Sequence, residues 1–266
     1  MTPSQILFDD GAAYERYMGA WSQAAGAAFL DWLAPPPGLR WLDVGCGNGA
    51  FTEMLVARCA PAAVHGVDPS AAQLAYARTR PALGGVEFRQ GDAAALPFPD
   101  GALDAAVMPL VIFFVPNPAA GVAEMARVVG PGGLVAAYAW DLPGGGFPYE
   151  AVQAELRALG VDVPAPPSPE ASRLDALHAL WAGAGLTAVE TREITVHRTF
   201  ASFDDYWAIA LGGPSVGRPL AAIPPAALAP FQARLRERLP AADAAGRITA
   251  SGRAHAVKGR VRRPGG

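Results

Sequence analysis

The chain has 266 residues, of which 52% are hydrophobic and 17% charged, with a formal net charge of −3. That length and apolar content suit one large globular domain and exclude a disordered chain. The near-neutral balance offers no electrostatic footprint for nucleic acid or an anionic membrane.

In chain order, Tyr14, Tyr17 and Trp21 stand at offsets of three and four, which places them on one face of an N-terminal helix. "RWLDV" (40–44) is the first strand, and after a glycine turn Phe51, Met54 and Leu55 share an apolar helical face. "VHGVD" (64–68) is the second strand. Ser70 and Gln73 then have the spacing of a capping box for a helix over 71–79. "VEFRQGD" (86–92) and "LDAAVMPLV" (103–111) are the third and fourth strands. Asn117 can cap the next helix, Pro118 suits its first position, Val122, Met125 and Val129 form its stripe, and Gly130-Pro131 stops it. "LVAAYAW" (134–140) is the fifth strand.

Beyond Trp140 a glycine-rich loop leads to a proline-rich surface connector (163–172) between two helical segments, the second ending at Gly183 or Gly185. "TAVETREITVHRTF" (187–200) alternates as a strand, a helical insert follows, and "RITASGRAHAVKG" (247–259) is the last strand. Strands alternating with helices argue for a mostly parallel sheet with helices on both faces. One domain over 1–266 is expected: a cap (1–37), a core (38–140) and a completion of the sheet (141–266) with a lid around 200–240.

Gly45-Cys46-Gly47-Asn48-Gly49-Ala50 satisfies both G-x-G-x-x-G/A and G-x-G-x-G, so alone it does not choose between a dinucleotide and another nucleotide-like ligand. Asp68, closing the second strand, can accept hydrogen bonds from a ribose diol under either reading. The segments "LDVGCGNG", "GVDPS", "VEFRQGDAAALPFPDGALDAAV" and "EMARVVGPGGLVA" together resemble the class I S-adenosylmethionine-dependent methyltransferases. The resemblance is to the small-molecule branch that includes ubiquinone and menaquinone C-methyltransferases.

That resemblance implies a Rossmann-like, doubly wound α/β sheet of seven strands with the last antiparallel, and S-adenosylmethionine as cofactor. Gly45, Cys46, Gly47 and Gly49 would pass beneath its methionine part, Asp68 would hold the ribose and Pro69 would pack on the adenine. Asp92 and the Ala93 N–H would meet the adenine edge, and Pro109 and Leu110 would line the methionine side. Tyr14 and Trp21 would close over the cofactor from the N-terminal segment, and Asp43 would brace the loop. The run "MPLVIFFVPNP" after the fourth strand departs from relatives with polar or aromatic residues there, and lacks the N/D-P-P-Y/F tetrapeptide of base and glutamine N-methyltransferases.

A short-chain dehydrogenase would need a Tyr-x-x-x-Lys pair, but the sole lysine, Lys258, has Ala254 at that offset. The remaining alternatives are a domain that binds S-adenosylmethionine as a sensor or scaffold without turnover, and an NAD(P)-dependent oxidoreductase of another type. Among the four histidines, His65, His178 and His255 are expected to be structural, and His197, at the end of the sixth strand, is the candidate base. Trp140, Tyr149, Tyr206 and Trp207 are the candidate substrate contacts, suited to a flat or apolar small molecule.

Cys46 and Cys59 lie near no histidine cluster, so neither a metal nor a disulfide is expected. The basic residues Arg253, Lys258, Arg260, Arg262 and Arg263 are expected in a solvated tail. No leader or spanning pattern stands out, so a cytoplasmic monomer or homodimer that partners neither nucleic acid nor membrane is expected.

Overall fold

The computed structural model describes residues 15–213, 215–221 and 223–263. The chain forms two compact units, each assembled from separated segments. One comprises Met1–Ala24, Gly145–Pro166 and Thr195–Arg253; the other comprises Ala25–Gly144, Pro167–Ile194 and Ala254–Gly266.

The second unit carries a seven-stranded sheet. Its strands are β1 (Arg40–Val44), β2 (Ala63–Asp68), β3 (Glu87–Gln90), β4 (Leu103–Pro109), β5 (Val129–Trp140), β6 (Thr187–Phe200) and β7 (Ile248–Arg260), ordered β3-β2-β1-β4-β5-β7-β6. β6 and β7 also run on into the other unit. β1 through β5 pair in parallel, and β7 lies antiparallel against β5 with His255 opposite Ala139. The order reverses at β1, and ligands of open α/β sheets bind beyond the carboxyl ends of strands at such a point.

Burial of both sheet faces explains the near-continuous apolar strands: Trp41, Leu42 and Val44 of β1 and Ala105 through Met108 of β4 are all buried. One face is covered by α1 (Ala20–Leu33) and α2 (Ala50–Cys59), where Phe29 meets Tyr138 at 4.7 Å between ring centroids. In α2 the buried residues are Thr52, Leu55 and Cys59. Phe51 and Met54, expected with Leu55, are half-buried and turn toward Gly26 of α1, where a Cβ would meet them at 3.1–3.2 Å. The opposite face is covered by α4 (Pro118–Val128) and α6 (Leu174–Gly183), whose Trp181 indole donates to the Val135 carbonyl at 2.9 Å.

Local expectations hold with informative exceptions. Ser70 caps α3 (Ala71–Ala77) by accepting from the Gln73 N–H at 3.3 Å. The return half of the box is pre-empted, because the Ser70 N–H donates to Asp68 Oδ1 at 2.8 Å. The helix stops at Ala77, ahead of the 3-10 turn Pro81–Leu83. Asn117 caps α4 as expected, accepting from the Ala120 N–H at 3.2 Å. That helix ends at Val128, so Val129 and Gly130-Pro131 already belong to β5, whose pairing with β4 shifts register between Leu103 and Ala105. The proline-rich connector is pinned where it enters the second unit: the Ser168 N–H and hydroxyl donate to the carbonyls of Phe113 and Val115 at 3.0 and 2.9 Å.

The first unit contains α5 (Glu150–Ala158), α7 (Phe203–Leu211), α8 (Gly217–Ala221) and α9 (Pro225–Arg238) with the outer ends of β6 and β7. Its core is aromatic. Tyr17 stacks on Tyr149 at 4.1 Å, and Phe200 meets Tyr206 edge-on at 5.0 Å. The buried Glu155 carboxylate bridges Arg234 and Arg238 of α9. Among the described residues no helix is long and apolar enough to cross a membrane, and both cysteines are free.

Candidate functional site

The Gly45–Gly49 turn leaves β1 folded against the end of β2, with the Gly45 and Cys46 N–H groups donating to the Val67 carbonyl at 2.7 and 3.0 Å. Gly45 has φ +74° and sits over Val111, so that a Cβ would fall 2.6 Å from both valine γ-carbons. Gly47 has φ +52° and nothing within 4 Å of where a Cβ would stand. One glycine is required by the protein's own packing; the other leaves a cradle into which ligand atoms can come close. The Cys46 side chain turns away into a cluster with Leu74, Ala77, Leu83 and Phe88, and burial pushes its thiol well above the usual range. Only its backbone is left to face a ligand.

Asp68 is 8% exposed, and each of its oxygens takes one backbone N–H: Gly47 to Oδ2 at 2.9 Å and Ser70 to Oδ1 at 2.8 Å. Each oxygen keeps a lone pair, so the carboxylate can still accept two more donors, as a vicinal diol would supply. Burial raises its pKa, against the pull of the Ser70 and Gly47 N–H groups. Asp43 is fully buried under the loop, and its Oδ2 accepts from the Thr52 hydroxyl at 2.7 Å. It joins β1 to α2 across the loop that was expected to be its partner. Its Oδ1 accepts no hydrogen bond among the described residues. Burial raises the Asp43 pKa to about 7, with Thr52 opposing and the Asp68 charge adding.

Asp92 is exposed and folds its loop locally, accepting the Ala94 N–H on Oδ1 at 2.8 Å. The loop from Asp92 to Asp100 is fastened by two residues that the strand and helix pattern did not single out. Glu124 accepts the Leu96 N–H at 2.8 Å. Arg127 donates to the carbonyls of Leu96 and Phe98 and pairs with Asp100 and Glu124. The Arg127 guanidinium in turn holds the Glu124 carboxyl below its usual range. Their i, i+3 spacing on a predicted helix was the available signal. Arg80 is a further unpredicted brace, donating to the Asn48 carbonyl at 2.7 Å and pairing with Glu53.

Pro109 ends β4 and is buried; Leu110 follows with φ +60°, its N–H donating to the Tyr138 carbonyl at 2.7 Å. A leucine held in the left-handed region costs roughly 1–2 kcal/mol, the kind of local strain that clusters at binding sites. The second unit thus gathers Gly45, Cys46, Gly47, Gly49, Asp68, Pro69, Asp92, Ala93, Pro109 and Leu110 along the carboxyl ends of β1 to β4 or in the loops that follow them.

Several of the other expected residues belong to the first unit. Tyr14 lies outside the described residues. Trp21 is fully buried in the first unit, its indole donating to the Tyr149 hydroxyl at 3.4 Å. Tyr149 in turn donates to the Tyr17 carbonyl at 2.9 Å, and Tyr206 is fully buried with it. Burial raises the Tyr149 pKa to about 12. Trp207 is half-buried and stacks on Phe203, while Trp140 is buried at the end of β5. His197 is exposed, and β6 runs on past it to Phe200 instead of ending there. His65 is half-buried, with Nδ1 3.1 Å from Glu87 Oε2. His178 is exposed on α6. With Asp141, Arg173, Asp175, Thr191 and the buried His255 it lines a cleft of about 510 Å³ in the second unit.

Comparison with known proteins matches the same stretch of the chain. Residues 42–137 match a family described as a methyltransferase domain. Over 104 residues the chain is 42% identical to trans-aconitate 2-methyltransferase of Methylobacterium nodulans, covering 39% of this chain and 38% of that protein. It is 38% identical over 96 residues to fatty-acid O-methyltransferase of Mycolicibacterium smegmatis, covering 36% and 35%. The chain thus spans little more than a third of the length of these curated relatives. Among solved structures, phosphoethanolamine N-methyltransferase 2 of Haemonchus contortus in complex with S-adenosyl-L-methionine shares the fold. Its TM-score is 0.59 at 19% identity, over 95% of this chain and 56% of that one. Over residues 42–137, the glycine loop and both carboxylate-bearing strand ends included, the chain is similar to the methyltransferase-domain family.

Proposed function

We propose that the protein transfers a methyl group from S-adenosylmethionine to a small-molecule acceptor and releases S-adenosylhomocysteine. The observation that carries this is the buried Asp68 carboxylate, fixed by one N–H on each oxygen beside the open cradle at Gly47. In this proposal Asp68 accepts both ribose hydroxyls, and Pro69 packs on the adenine. Asp92 and the Ala93 N–H read the adenine edge. The backbone of Gly45, Cys46, Gly47 and Gly49 runs beneath the methionine part, with the Gly45 carbonyl accepting its ammonium. Pro109 and Leu110 line the methionine side.

The bound cofactor supplies an electrophilic methyl group on its sulfonium. The chain's own task is to hold donor and acceptor in line and to keep water away. A general base is required only where the acceptor holds its proton tightly. Trans-aconitate and fatty acids, in the names of two relatives, are carboxylic acids, whose ionised oxygen needs no base. A carboxylate is therefore the first acceptor class to try.

Thermal unfolding tests the binding step. S-adenosylmethionine and S-adenosylhomocysteine at about 100 times Kd should each stabilise the chain by roughly 2.7 kcal/mol. NADH should not, and Asp68→Ala should lose most of the shift. Stabilisation by NADH alone would overturn the proposal. Isotope-labelled methyl donor, incubated with carboxylic acids and a metabolite extract, then separates turnover from binding. A chain that binds the cofactor yet labels nothing would be the sensor.

A further inference from the structure

His255 stands on β7 beside the end of β5, and its Nδ1 lies 2.9 Å from the Ser172 carbonyl. A carbonyl oxygen only accepts, so Nδ1 carries the hydrogen and Nε2 is the nitrogen free to take up a proton. Nε2 faces Asp141 Oδ2 at 3.7 Å, from the loop after β5, and Glu193 Oε2 at 4.0 Å, from β6. From α6 and the residue before it, Asp175, His178 and Arg173 line the same cleft, with Arg173 paired to Asp175. The open cleft gives solvent protons a route to the imidazole.

Ser172 closes the 3-10 turn Pro169–Ser172, its hydroxyl donating to the Pro169 carbonyl at 2.7 Å and accepting the Leu142 N–H at 3.2 Å. One residue before this turn, Ser168 grips the carbonyls of Phe113 and Val115. Those belong to the segment after β4, which begins with the strained Leu110 and places Val111 under Gly45. A continuous run of hydrogen bonds and packing therefore joins the His255 ring to the glycine loop, all within one compact unit.

We propose that His255 is a proton-linked positioning residue for the cofactor loop. Its imidazolium form clamps the Pro169–Ser172 turn, and through it the segment after β4, in the arrangement that receives the cofactor. The physical basis is the charge-assisted bond. A protonated ring donates more strongly to the Ser172 carbonyl, and its new Nε2–H points at the Asp141 and Glu193 carboxylates. The inference rests on the proposed binding of S-adenosylmethionine, and cofactor affinity is then greater with His255 protonated.

The test is calorimetric binding of S-adenosylhomocysteine, which needs no acceptor and no turnover, from about pH 8 to about pH 6. His255→Asn keeps an N–H in the place of Nδ1–H and removes Nε2. Asp68 and Asp43 titrate in both proteins, so their effects cancel in the comparison. Wild type should gain about fivefold in affinity relative to His255→Asn as pH falls. Glu193→Gln, at a more exposed position, should shrink that gain and carries the test if the asparagine variant does not fold. Parallel curves, or a loss in His255→Asn equal at every pH, would overturn the proposal and leave the ring a structural pin. A wild type that binds no S-adenosylhomocysteine at any pH would instead sink the methyl-transfer assignment beneath it.

Discussion

Asp43 and Asp68 lie at the ends of neighbouring strands, and their surroundings give them different work. Asp68 keeps lone pairs free beside the cradle, whereas Asp43 is sealed under it with one oxygen lacking a donor among the described residues. A folded Asp43 that titrates near 7 contrasts with an unfolded aspartate near ~3.9. Between those values the folded chain holds a proton that the unfolded chain has released. Stability from this group is therefore highest at acidic pH, falls as pH rises through that window, and levels off above it. Asp43→Asn should remove the decline. Between about pH 5 and pH 8 the Tm of the ligand-free wild type should drop a few degrees more than that of the variant. Equal drops in scanning calorimetry would show that Asp43 ionises without cost.

At the scale of the element, the turn between β1 and α2 separates two demands that one glycine pattern conceals. Gly45→Ala would push a Cβ against Val111 and strain a positive φ, so it should cost at least about 2 kcal/mol of stability before any ligand is added. Gly47→Ala meets no protein atom, so it should cost only about 1 kcal/mol for its φ yet still weaken cofactor binding tenfold or more. Denaturant melts and calorimetric titrations of the two variants would separate these effects. If Gly47→Ala binds as tightly as wild type, the cofactor does not approach the backbone there.

Much of this was legible beforehand. Strand ends at Val44 and Asp68 follow from apolar runs closed by glycine or acid, and the Asn117 cap from its neighbour Pro118, whereas the fourth strand, expected through Val111, stops at Pro109. The clamp of Glu124 and Arg127 on the loop after Asp92 was not legible as a clamp, because its partners are a backbone N–H and two backbone carbonyls about 30 residues away that no periodicity reports. The resemblance implied Trp21 at the cofactor, and aromatic spacing shows which residues share a face but not which protein groups that face meets. In the structure it meets Tyr149 and Phe200.

For the whole molecule, the sequence pattern located every strand but could not show which distant segments make one body. Proline-rich and glycine-rich stretches looked like surface links, while contacts divide the chain near Ala24, Gly144, Pro166, Ile194 and Arg253. The sheet-bearing unit draws α6, β6 and β7 from beyond residue 166. A chain cut after Gly144 would leave the β5 edge unpaired and Val135 without its Trp181 partner. Such a fragment should show no cooperative melt by circular dichroism, and a sharp transition would mean that β1 to β5 form a self-sufficient core.

The strand order also sets a timetable for synthesis. β7 lies between β5 and β6, yet it leaves the ribosome last, with β6 ending at Phe200 and β7 starting only at Ile248. At roughly 5–20 residues per second, β6 waits several seconds for the strand that joins it to the sheet. Through that interval the nascent chain presents a sticky β5 margin and an orphan strand, a natural client for a chaperone that shields strand edges.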